Sequence, residues 1–151
     1  GIFPEATISR AFEIKNLKTG AVRIADEADA PLLPVIIWGS QRVWTKGLPK
    51  NLLRPKVPIR VAVGTPIELS GSAEKDTAVL KEAMEKLLET TREKYAERHG
   101  PFEPGLPWMP ASLGVAAPTL EQAAEIDAAA RAERDRKKAA KAAKAGKKDH
   151  K

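Results

Sequence analysis

The 151 residues predict an α/β chain, on three observations. Leu32 to Trp38 is a continuous apolar run rich in β-branched side chains, the pattern of a strand covered on both faces in a mostly parallel sheet. Pro58 to Gly64 alternates, with Ile59, Val61 and Val63 on one face and Arg60 and Ala62 on the other, and reads as a second strand. Around these lie helical patterns: Ala21, Ile24, Ala25 and Ala28 recur at one spacing, and Leu80, Met84, Leu87, Leu88, Thr91 and Tyr95 form one stripe. Open α/β sheets bind ligands at the carboxyl ends of their strands, which is where the chemistry is expected.

Taken in order, the chain opens with a short apolar strand end that meets Pro4 and then carries Glu5, Thr7, Ser9 and Arg10. Lys18, Thr19 and Gly20 lead into the first helix, which ends before Pro31. Pro34 cannot donate to a ladder, so an edge position or a bulge is expected there. Residues 39–56 lose periodicity and hold Gly47, Pro49 and Pro55, the marks of a long loop, with Arg42, Lys46, Lys50, Arg54 and Lys56 and no acid.

The long helix should run from about Ala73 to Arg98. Glu74 and Asp76 lie in its first turn and Lys94 and Arg98 in its last, as the helix dipole favours, and Gly100 and Pro101 stop it. Residues 101–118 hold five prolines with Phe102, Trp108 and Met109 and predict an extended strap, its aromatics pinned on the domain surface. Thr119 and Gln122 make a capping-box pair that would start an Ala-rich helix. Beyond Ile126 that helix has no large apolar residue, so it is expected to fray. The divisions are residues 1–98, a Pro-rich strap at 99–118 and a basic Ala/Lys-rich tail, helical or disordered, at 119–151.

Composition narrows the function. The packed part should be nearer to 100 residues than to 151, since the last third is polar and Ala-rich. Without cysteine there is no disulfide framework, thiolate metal site or thiol nucleophile. The longest apolar run, Leu32 to Trp38, falls far short of the roughly 20 residues a membrane span needs, so a soluble or peripheral chain is expected. Residues 131–151 hold ten basic and three acidic side chains, whereas residues 1–130 hold sixteen and seventeen, so the net charge of +6 belongs to the tail. Such a run is either a solvated segment or an attraction to an anionic surface.

Residues 3–9 resemble the F-P-E-G-T-R-S block of the glycerolipid acyltransferases, which place a fatty acyl chain on glycerol 3-phosphate or lysophosphatidate. Phe3, Pro4, Glu5, Thr7 and Ser9 match; Ala6 stands where the family usually has Gly and Ile8 where it usually has Arg, with Arg10 as a stand-in for that arginine. Ala30 to Val35 is similar to the family's V-P-I/V-I/V-P-V segment and follows in the same order. The resemblance covers roughly residues 1–98 and is closest to the 1-acylglycerol-3-phosphate (lysophosphatidate) acyltransferase type. It implies a half domain of the glycerol-3-phosphate acyltransferase-like fold. The family's catalytic His-x-x-x-x-Asp is absent, since neither His99 nor His150 has Asp five positions on. The chain therefore reads as a C-terminal portion that does not turn over alone.

The resemblance implies acyl transfer from acyl-CoA or acyl carrier protein, without cofactor or metal, to a lysophospholipid, in phospholipid synthesis on the cytoplasmic side of the plasma membrane. The acceptor and its phosphate fall to Glu5, Thr7, Ser9, Arg10 and Lys18. Glu5 repels a phosphate directly and is expected to fix a guanidinium, such as Arg10, or to accept from the glycerol hydroxyl. Pro31 and Pro34 are implied in shaping the acyl-donor site. Each of these residues also has a plainer reading, Glu5, Thr7 and Ser9 as turn and capping residues and the prolines as a strand boundary and a bulge. Trp38 and Trp44 beside the basic loop suit an anionic bilayer surface, or the loop is an exposed connection. The rival function is a non-catalytic basic module that binds anionic membrane or nucleic acid through its tail. No helix-turn-helix, zinc or ribonucleoprotein signature is present to specify a nucleic acid.

Overall fold

The computed structural model describes residues 1–49, 52–53, 56–103, 105–114 and 117–146, with side chains as far as residue 141. Lys50 and Arg54 of the basic loop, Pro104 of the strap and the last five residues of the tail lie outside the described residues. The elements in order are α1 (Gly20–Glu27), β1 (Val35–Trp38), β2 (Arg60–Val63), α2 (Ala73–His99) and α3 (Leu120–Gly146), with single 3-10 turns at Ser40–Arg42 and Ala111–Leu113.

The sheet corrects the expectation of a mostly parallel one. Among the described residues it has two strands, and they are antiparallel, with Val35 opposite Val63 and Trp38 opposite Arg60. A parallel pair needs a crossover of a dozen or more residues, usually a helix, and the described residues between β1 and β2 contain only one 3-10 turn. The chain therefore returns beside the strand it has just left. Leu32 also bridges Ile67, so between that bridge and the ladder two residues on one side face three on the other. The resulting bulge lies on the strand opposite Pro34, whose carbonyl accepts from the Gly64 amide at 2.9 Å.

Nor is β1 covered on both faces. Ile36 and Trp38 are 5% and 3% exposed, while Val35 and Ile37 stand at 44% and 47%. Register carries this asymmetry into β2, where Val61 and Val63 join the open face and Arg60 and Ala62 turn inward. A run of β-branched residues satisfies strand propensity on either face, so it does not by itself say how many faces are buried.

α2 packs across the inner face. Leu80, Met84, Leu88, Thr91 and Tyr95 are its buried stripe, at the predicted spacing, and all but Thr91 join Ile36, Trp38, Val22 and Ile14 in one core. Asp76 in its first turn takes the Ser70 amide and hydroxyl, at 3.0 and 2.7 Å, and these bonds hold its carboxyl below the usual range. Near the other end, Tyr95 Oη donates to Pro58 O at 2.9 Å and accepts from Arg42 Nη1 at 3.0 Å. Gly39 (φ +100°) lies against this pair; a Cβ there would stand 2.4 Å from Pro58 O.

The strap closes the core's end. Phe102 packs against Trp38 and Tyr95 and meets Trp108 edge-on at 4.4 Å, with the Arg42 guanidinium 4.9 Å over the Trp108 ring. Arg92 ties the opening segment to α2: it donates to Phe12 O at 2.6 Å and to Glu13 at 3.0 Å, and its guanidinium lies 4.6 Å over Trp38. α3 begins as the capping pair predicts, with the Thr119 amide donating to Gln122 Oε1 and the Gln122 amide to Thr119 Oγ1. The polar last third does contribute to packing, since Ala117 and Ala123 are 6% and 0% exposed. From residue 131 to 141 every described side chain is exposed.

Candidate functional site

The opening segment is a compact turn. The Ala6 amide donates to Phe3 O at 3.1 Å, and Ala6 itself takes the left-handed conformation at φ +56°. An L-residue with a Cβ pays for that conformation, whereas Gly does not. The Lys18 amide donates to Pro4 O at 2.8 Å and Ser9 Oγ to Glu13 O at 3.0 Å, so the segment is cross-braced by its own backbone.

What the turn presents is a cluster of cations around one carboxylate from the far end of the chain. Asp127 of α3 accepts from Lys46 Nζ at 2.7 Å, Arg10 Nε at 3.1 Å and Lys15 Nζ at 3.1 Å. Burial alone would raise the Asp127 carboxyl, but the hydrogen bonds from Lys46, Arg10 and Lys15 outweigh it and pull it far below the ordinary carboxylate range. Arg10 Nη1 also donates to Lys46 O at 3.2 Å, and Lys46 Nζ to Thr7 Oγ1 at 3.3 Å. Gly47 (φ +85°) makes room for this, because a Cβ would stand 2.6 Å from Arg10 Nη1. Beside the cluster is a cavity of about 270 Å³ lined by Thr7, Lys15, Lys46, Asp127, Arg131 and Arg134 among others.

Of the residues expected to bind the acceptor, Thr7 and Arg10 reach this cluster. Glu5 is half-buried and takes Lys15, through its backbone amide and its charge, not Arg10; burial nonetheless pushes its carboxyl up. The Ser9 hydroxyl is spent on the Glu13 carbonyl, and Lys18 is exposed at the entry to α1. Pro31 is exposed and Pro34 buried at the amino end of β1, whereas Lys46 follows its carboxyl end. Neither proline lines the cavity.

The Acyltransferase family model matches residues 1–38. The match supports an acyltransferase, and with it acyl transfer as the general reaction. The matched acyltransferase segment holds the opening turn, α1 and β1, and so contributes Thr7, Arg10 and Lys15 to the cluster. No curated protein and no solved structure matches the chain.

Four residues of the cluster and its cavity, Lys46, Asp127, Arg131 and Arg134, lie outside the matched segment. Asp127 is 117 residues from Arg10, and in the sequence Arg131 and Arg134 are two of the ten basic residues of the tail. The available sign was their spacing, since positions 127, 131 and 134 share one helix face. Among the described residues no cluster of three His, Cys, Asp or Glu side chains fits a metal ion, and no helix is long and apolar enough to cross a membrane.

Proposed function

We propose that the chain supplies the acceptor side of a glycerolipid acyltransferase. An acyl chain passes from acyl-CoA or acyl carrier protein to a hydroxyl of lysophosphatidate or glycerol 3-phosphate, whose phosphate is held by the cations of the opening turn. The observation that carries this reading is the coincidence of the family match with the cationic cluster, because Arg10 and Lys15 lie inside residues 1–38 and converge with Lys46 beside the Thr7 hydroxyl. A phosphate monoester needs charged donors of this kind, and arginine and lysine meet it as fork and point charge.

The acceptor hydroxyl attacks the thioester carbonyl; its proton must go to a base, and the thiolate of the donor leaves. These 151 residues hold no histidine with an aspartate five positions on, so the proton acceptor is not among them in the form the resemblance implies. Glu5 in its half-buried place is suited to orient the acceptor turn through Lys15, and its raised carboxyl marks the cost of that placement. Peripheral membrane contact is part of the reading. Leu52 and Leu53 are 68% and 99% exposed in the basic loop, and apolar side chains with a lysine on one side and an arginine on the other suit the headgroup region of an anionic bilayer.

The test uses mixed micelles carrying either lysophosphatidate or lysophosphatidylcholine. The full chain should bind the first at least tenfold more tightly, and Arg10→Ala should remove most of that preference. Equal binding of the two would refute the acceptor assignment. With oleoyl-CoA added, no phosphatidate should form; steady formation would mean that the chain contains its own proton acceptor.

A further inference from the structure

The cavity beside Asp127 has walls from two distant parts of the chain: Thr7, Lys15 and Lys46 on one side, and Asp127, Arg131 and Arg134 of α3 on the other. Asp127 is the one carboxylate among these six, so they sum to three positive charges. Among the described residues no acid lies within ion-pair distance of Arg131 or Arg134. The contacts already made leave donors over. An ammonium has three N–H groups; Lys15 gives one to Asp127, and Lys46 gives one to Asp127 and one to Thr7. Thr7 Oγ1 accepts from Lys46, so its own proton is free to donate. Arg134 Nε is spent on the Ala130 carbonyl, which leaves its terminal nitrogens. At about 270 Å³ the space is far above the 10–15 Å³ that a single water needs.

We infer that this cavity is a binding site for a phosphate monoester dianion, with Arg131 and Arg134 of α3 as its outer ligands and Asp127 as the carboxylate that holds its inner cations in place. The inference rests on the acyl-transfer reading only for the identity of the bound molecule, the phosphate of the acceptor. A dianion would lower the local charge from three to one, and Asp127 keeps the cations from repelling one another while the site is empty of anion. The stretch of α3 from Asp127 to Arg134 is then part of the acceptor site, and its charges are more than an attraction to membranes.

The experiment titrates the full chain with inorganic phosphate and with glycerol 3-phosphate at fixed ionic strength, following arginine side-chain signals by NMR. Arg131 and Arg134 are exposed, so the double variant Arg131→Ala/Arg134→Ala should fold; Arg136→Ala/Lys138→Ala removes equal charge from the same helix away from the cavity. The expected result is saturable binding of both ligands, a loss of about tenfold or more in the first variant and a change of less than twofold in the second. Equal losses in both variants would show unspecific attraction and overturn the inference. Unchanged binding in the first variant with loss in Arg10→Ala would place the phosphate on the opening turn alone, overturning the inference while leaving the acyl-transfer reading intact. Failure of the wild-type chain to bind either ligand would also overturn it, and the lysophosphatidate micelles then judge the broader reading separately.

Discussion

Two regions of this chain are held together in different ways. Around α2 the contacts are apolar and closed: Trp38, Leu80, Leu88 and Tyr95 are each at most 5% exposed, and the strap seals the end with Phe102. Around α3 almost the whole attachment is polar, three cations on one carboxylate with Ala117 and Ala123 as the small apolar backing. Apolar burial carries no charge for salt to screen or for a small anion to pair with, whereas an ion-pair cluster responds to both. The difference suits a rigid platform with a ligand-sensitive patch on its side.

The largest effect should come from the platform. Tyr95→Ala removes a fully buried ring and two hydrogen bonds, and it should cost roughly 3–5 kcal/mol in denaturant unfolding, enough to leave little folded chain. Gly39→Ala places a Cβ against Pro58 O in a left-handed conformation and should cost about 1–3 kcal/mol by the same measurement.

The patch should respond differently. Asp127→Asn removes the shared anion and should loosen α3 by on the order of 1–3 kcal/mol, read as faster hydrogen exchange in residues 120–130 with the exchange of α2 unchanged. Added salt should mimic it in part. The pH dependence follows from the lowered carboxyl: the stabilisation is complete above the unfolded aspartate value of about 3.9 and is lost only as pH falls below it. The attachment of α3 should thus be flat from pH 7 to pH 5 and weaken in stronger acid. Loss between pH 7 and pH 5 would contradict the assignment to Asp127.

The smallest effect concerns the turn. Ala6→Gly relieves the left-handed Cβ and should stabilise by up to about 1 kcal/mol, the relief being offset by the extra freedom of glycine when unfolded. Here sequence and structure agree on a detail, since the resembled block carries glycine at that place.

Local signals were readable and distant ones were not. The limits of α2 follow from its stripe and its end charges, and the start of α3 from Thr119 and Gln122, because those rules act within a turn or two of helix. Leu32 to Trp38 is apolar throughout and so predicts a strand covered on both faces in a mostly parallel sheet, whereas burial selects Ile36 and Trp38 and leaves Val35 and Ile37 open. Of the candidate site, Thr7 and Arg10 were legible through the block that holds them. Lys15 and Asp127 were not, since nothing near either residue announces a partner more than a hundred positions away.

The central claim is that the phosphate of a monoacyl acceptor meets the cations of the opening turn. It is tested most directly by the affinity of the chain for lysophosphatidate relative to lysophosphatidylcholine, in wild type and in Lys15→Ala/Lys46→Ala. The account predicts a preference of tenfold or more that falls close to unity in the double variant, while α2 stays protected from exchange. A preference that survives both substitutions, or one that never existed, would contradict it.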